Sequence, residues 1–296
     1  MSLLPAVLLA IGALALWVPD YRSAPERWPE LMCTQLLLAA NAVLLSVLLY
    51  QGKASRSFTA LPVPLMILTV AVLPQLRYSW LLQLWIAVLL LFLFFIQQLA
   101  ENQSPNGHVF FTSLVLCILS LWLPDALWCI VYLWGVVLMM GALSLRTILA
   151  SAMAVAVFVF YYQIAGYIGW SVEWAWSSIL SRSWMASALP LHDIITIAVV
   201  LIATFVITFA TFRRSLYGFV STRKLLYYCV ALYLIVTPLV LFYRPDGGGI
   251  HALLAIATPA VTSIYLLQKE SESRGITFLL YIIVALALYA TPCIFS

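Results

Sequence analysis

The chain has 296 residues, of which 65 % are hydrophobic and only 8 % charged, against about 25 % charged residues in ordinary soluble domains. No water-soluble fold hides that much apolar surface. The net charge of +4 comes from basic residues beside apolar runs, where they orient membrane segments rather than bind nucleic acid.

A single integral membrane domain over residues 1–296 is therefore expected, an all-α polytopic bundle of about ten or eleven transmembrane helices. A crossing needs about 20 mostly apolar residues. The apolar runs are 3–18, 31–50, 61–73, 80–99, 109–122, 126–143, 148–169, 194–212, 225–242, 250–267 and 276–295. No Lys or Arg precedes the first run and no small-residue cleavage site ends it, so it reads as a retained span rather than a signal peptide. Runs 61–73 and 109–122 are short and end at Pro74 and Pro124, which fits half-spans or hairpins buried against neighbours.

The segment 170–193 alternates Trp170, Trp174, Trp176 and Trp184 with serines, Glu173 and Arg182. Val172, Trp176, Ile179 and Leu180 share one helical face, as an interfacial helix requires; the alternative is the aromatic belt of two long helices. Loops on the amino-terminal side hold nine of the fourteen Lys and Arg, including Arg213, Arg214, Arg223 and Lys224. That asymmetry places the amino terminus in the cytoplasm. The pentapeptides ending at Asp20 and Asp125 both read Leu-Trp-apolar-Pro-Asp, tryptophan at the interface followed by a helix-ending proline.

Every Lys, Arg, Asp and Glu lies outside these runs, which counts against a proton- or sodium-coupled transporter with an intramembrane relay. Gln35, Asn41, Gln97, Gln98, Tyr161, Tyr162 and Gln163 are the in-span polar groups, read as interhelical glue or as the lining of a polar cavity. Thr237-Pro238, Thr258-Pro259 and Thr291-Pro292 mark kinked helices.

Cys33, Cys117, Cys129, Cys229 and Cys293 lack metal-type spacing. His108, His192 and His251 are too few for a four-histidine iron centre, and Gly247-Gly248-Gly249 is too short for a phosphate loop and reads as a tight turn. No metal and no cofactor are expected. On the outer side, the carboxylates Asp20, Glu26 and Glu30 accompany Arg77, Arg182, Arg244 and His251. A base beside cations that hold a phosphate is what transfer from a lipid-phosphate donor needs; the alternative is a set of solvated loop charges.

From about residue 40 to 169, the order of features resembles an uncharacterised multi-pass membrane family of Bacteroidota. The resemblance rests on the stretch from Asn41 to Tyr50, Leu61-Pro62 opening a short hairpin around Pro74, Phe110-Phe111 leading through Leu119-Ser120-Leu121 to Pro124, and Ser144-Leu145-Arg146. More distantly, an acid after the first span followed by a short-helix hairpin is similar to the GT-C class of polyprenyl-phosphate-dependent glycosyltransferases. That resemblance implies Asp20 as the catalytic base, with Glu26 and Glu30 as substitutes, and Arg77, Arg182, Arg244 and His251 as substrate-binding residues. The first loop departs from the class, because only residues 19–30 are available where the class has a long loop with surface helices.

The implied function is a GT-C-like envelope protein of the bacterial inner membrane, handling a polyprenyl-phosphate-linked sugar as a transferase or as a scaffold without catalysis. A structural or accessory subunit of an envelope complex and a carrier or flippase for an amphiphile are the alternatives. Expected partners are membrane lipids, a polyprenyl-phosphate lipid, or another envelope membrane protein.

Overall fold

A computed structural model describes residues 27–51, 60–73, 76–77, 79–98, 105–122, 127–139, 143–169, 191–215, 248–268, 281–282 and 284–285. The expected spans 3–18 and 225–242, the interfacial stretch from Val172 to Leu180 and most of the last span lie outside the described residues.

Among the described residues all regular structure is helical. The helices are α1 (Trp28–Gln51), α2 (Pro62–Val72), α3 (Trp80–Gln98), α4 (Asn106–Leu119), α5 (Trp128–Met139), α6 (Leu145–Tyr167), α7 (Leu191–Ser215) and α8 (Gly248–Gln268). A further helical fragment contains Tyr281, Ile282, Val284 and Ala285. Helices α1, α6, α7 and α8 are each long and apolar enough to cross a membrane. The chain is thus a multi-pass helical membrane protein, since only structures that satisfy their own backbone hydrogen bonds can span hydrocarbon.

Local chemistry sets the helix ends. Pro62 and Pro64 stand in the first turn of α2, where a missing N–H costs nothing. Leu73 leaves the helix with φ −97° and ψ 97°, the extended geometry that a following proline imposes. Ser144 caps α6, its hydroxyl accepting from the Thr147 N–H at 3.3 Å, and Gly169 follows its last turn with φ 87°, a left-handed conformation natural to glycine. Two starts differ from the hydropathy reading. Helix α7 begins at Leu191, so His192 and Asp193 lie in its first turn rather than in a loop. Gly248 and Gly249 open α8 instead of closing a tight turn; the apolar sequence that follows drives the helix, and the first turn tolerates glycine.

Helix α8 is the centre of the bundle, packed against α1, α2, α3 and α7. Within its span 83 % of residues are buried, against 17 % in α6, so α6 is peripheral and presents its apolar side outward. Ala252, Ala255, Ala257, Ala260 and Ser263 in α8 are all buried. Such small side chains let neighbouring backbones approach closely, which is how helices associate where lipid removes the usual hydrophobic drive. Leu61 and Leu65 at the start of α2 cluster with Leu266 at the end of α8, so these two helices run antiparallel. Helix α4 packs on α3, α5 and α6. Trp85 Nε1 of α3 donates to Cys129 Sγ of α5 at 3.2 Å, and Trp134 Nε1 of α5 donates to Ser151 Oγ of α6 at 2.8 Å.

Helix α2 is a half-span, and its connection to α3, a helix of 19 residues, lies at mid-depth in the bundle. Helix α2 has 11 residues, a length of about 16 Å, roughly half the hydrocarbon thickness. Asn41 Nδ2 donates to the Gln83 carbonyl at 2.9 Å and to Gln83 Oε1 at 3.2 Å, while Gln83 Nε2 donates to the Leu76 carbonyl at 3.3 Å. These bonds hold the α2–α3 connection level with the middle of α1, about 20 Å from its start and about 15 Å from its end.

Candidate functional site

Among the described residues, a crevice of about 60 Å³ lies between α2, α7, α8 and the Tyr281 segment. Its walls are largely aliphatic, from residues such as Val72, Val199, Ala203 and Ile207. Val199 is 38 % exposed and Val284 is 44 % exposed, so the crevice opens sideways onto the apolar exterior of the bundle.

Four hydroxyl residues line it: Thr69 on α2, Thr204 on α7, Thr258 on α8, and Tyr281. Thr69 Oγ1 lies 2.7 Å from the Leu65 carbonyl and Thr204 Oγ1 lies 2.6 Å from the Val200 carbonyl. A carbonyl has no proton, so each threonine must donate its own into its helix backbone. Thr258 Oγ1 sits 2.9 Å from Thr204 Oγ1 and therefore acts as the donor of that pair. Tyr281 Oη likewise donates to Thr69 Oγ1, with the Leu65 carbonyl as a second acceptor at 3.3 Å. Together these bonds tie three helices and the Tyr281 segment around the crevice.

Threonine suits this position because its hydroxyl satisfies itself against the i−4 carbonyl and can then accept across a helix interface. Thr204, Thr208 and Thr211 are all buried and all bond back to the carbonyl four residues earlier. Their spacing of four and three residues forms one face of α7. That spacing is readable in the run 194–212, but the reading of in-span polar groups stopped at amides and tyrosines. Thr258-Pro259 was visible only as a kink signal. Gln83, the partner of Asn41, was also overlooked.

The residues predicted from sequence are distributed differently. Asp20, Glu26, Arg182 and Arg244 lie outside the described residues. Glu30 is exposed in the first turn of α1. Arg77 is half-buried in the α2–α3 turn, deeper in the bundle than an outer loop because that turn is tied to the middle of α1. His251 is 1 % exposed and neither ring nitrogen has a hydrogen-bond partner. It lies in the bundle interior, in the first turn of α8. The antiparallel register of α2 and α8 brings His251 to the end of α2 that leads into the Arg77 turn. Neither residue lines the crevice. Of the expected in-span amides, Asn41 is buried and bonded, so it serves as interhelical glue. Gln35 is only partly buried and Gln163 is exposed.

Among the described residues no three His, Cys, Asp or Glu side chains converge in a metal-binding arrangement. The described site is thus a neutral, hydroxyl-edged opening into an apolar bundle. The chain matches no family model, no curated protein and no solved structure.

Proposed function

We propose that the protein binds an amphiphilic lipid between α2, α7 and α8, acting as a lipid-handling multi-pass protein of the bacterial inner membrane with its amino terminus in the cytoplasm. The observation that carries this reading is the crevice. It is apolar, it opens sideways toward the surface that faces lipid chains, and it has a small hydroxyl cluster at its wall. Ligand sites are typically apolar concavities with a few convergent polar groups. Among the three functions considered from sequence, binding an amphiphile needs only what this crevice supplies. A polyprenyl-phosphate lipid is the member of the class to which the GT-C resemblance points, and transfer through Asp20 would be a further step by residues outside the described set.

The test is native mass spectrometry of the full chain purified in mild detergent. A retained lipid is expected, and its mass identifies the class, including a polyprenyl phosphate. Ala203 lines the crevice and is exposed, so Ala203→Phe fills the opening without crowding the core. That variant should keep its melting temperature and lose the lipid. Retention of a protein partner alone, or lipid retention unchanged by Ala203→Phe, would overturn the reading.

A further inference from the structure

We infer that the polar group received by this crevice is a hydrogen-bond donor, and that the ligand is a long-chain alcohol rather than its phosphate ester. The inference rests on the lipid-binding reading and narrows it. Four hydroxyl groups bring four protons, and the geometry uses all of them internally. Thr69 donates to the Leu65 carbonyl, Thr204 to the Val200 carbonyl, Thr258 to Thr204, and Tyr281 to Thr69. What remains at the wall is oxygen lone pairs, because each hydroxyl oxygen has two and the internal bonds occupy only some of them.

A wall that can accept but not donate sorts ligands sharply. A carboxylate or a doubly ionised phosphate brings only acceptors, and the charge of either, or of a singly ionised phosphate, would meet lone pairs in an apolar setting at a high desolvation cost. An ammonium can donate, but none of the described lining residues carries a negative charge to compensate it. A neutral hydroxyl brings one proton and no charge. Its alkyl chain then continues among Val199, Ala203 and Val284 toward the exposed edge. The volume of about 60 Å³ holds a hydroxyl with its first carbons, leaving the rest of the chain in the surrounding apolar phase.

The test uses the full chain in mild detergent with a long-chain alcohol carrying a diazirine near its hydroxyl end. After illumination, crosslinks are mapped by peptide mass spectrometry. Competitors are the unlabelled alcohol, its methyl ether and its phosphate monoester. Label is expected on α7 around residues 199–207, with the alcohol competing about ten times better than either the ether or the phosphate. Thr258→Val removes one of the four acceptors while preserving shape and should lower the alcohol-to-ether ratio. Equal competition by the ether would overturn the donor requirement and leave the lipid-binding reading standing. Stronger competition by the phosphate would do the same and favour a phospholipid-type ligand. Absence of label on α7 would overturn the alcohol reading, while the lipid-binding reading stands or falls on the native mass spectrometry.

Discussion

Asn41 and Gln83 show how a polar pair is kept in an apolar bundle. The Asn41 amide reaches both oxygens of Gln83, and the Gln83 amide reaches the Leu76 carbonyl. Asn41→Leu strips the Gln83 side-chain oxygen of its donor and is expected to cost about 1 kcal/mol, the scale of interhelical hydrogen bonds in membrane proteins. The double variant Asn41→Leu, Gln83→Leu should cost less than the sum of the singles, since an unmatched buried partner is worse than none. Unfolding in graded denaturing detergent measures the cycle, and strict additivity would show that the two residues act independently. His251 presents the reverse case, a buried imidazole with both nitrogens unbonded. Burying a polar group without a partner costs roughly 1–3 kcal/mol, so His251→Leu is expected to raise stability. A loss of stability instead would show that the imidazole meets a bound partner.

At the scale of elements, the start of α6 is a joint as well as a cap. Ser144 Oγ accepts from the Thr147 N–H, the two hydroxyls lie 2.9 Å apart, and Thr147 Oγ1 donates to Asn106 Oδ1 of α4 at 3.1 Å. Ser144→Ala is therefore expected to lower stability by about 1 kcal/mol, as loss of a helix N-cap does. Gly at the same position should cost less, because it preserves the non-helical backbone. If both variants melt like the unsubstituted chain, the side-chain cap contributes nothing. Much of this element structure is legible in the sequence: the apolar run 31–50 became Trp28–Gln51, and 148–169 became Leu145–Tyr167 with its start moved back to the residue after Ser144. Hydropathy records how long each run is because burial in lipid is a property of the run itself. It does not record which runs meet. The Thr69–Tyr281 bond joins residues 212 positions apart, and nothing in either segment alone signals the other. The crevice therefore emerged only from the packing, and threonines that bond back to their own helix look almost apolar in a hydropathy profile.

For the molecule as a whole, the half-span α2 and its mid-depth connection to α3 separate the described bundle from a series of full crossings. Glu30 at the start of α1 and Ser79 at the start of α3 would flank the same membrane face if α2 crossed completely, and both would then meet solvent on that side. The Asn41–Gln83 bonds instead set the α2–α3 turn about 20 Å below the start of α1, where Arg77 is half-buried. The two geometries differ in a measurable way. In a chain with Cys33, Cys229 and Cys293 replaced by serine, the buried Cys117 and Cys129 remain as silent thiols. Glu30→Cys should then react with a membrane-impermeant maleimide added outside intact cells, given the proposed cytoplasmic amino terminus. Ser79→Cys should stay unlabelled until detergent opens the bundle. Equal labelling at both positions would mean that α2 brings its turn to the surface, and Arg77 would return to the outer face where a lipid phosphate could reach it. Labelling of Glu30→Cys only from the cytoplasmic side would leave the mid-depth connection intact and invert the orientation, moving every outer-face residue considered from sequence to the opposite side.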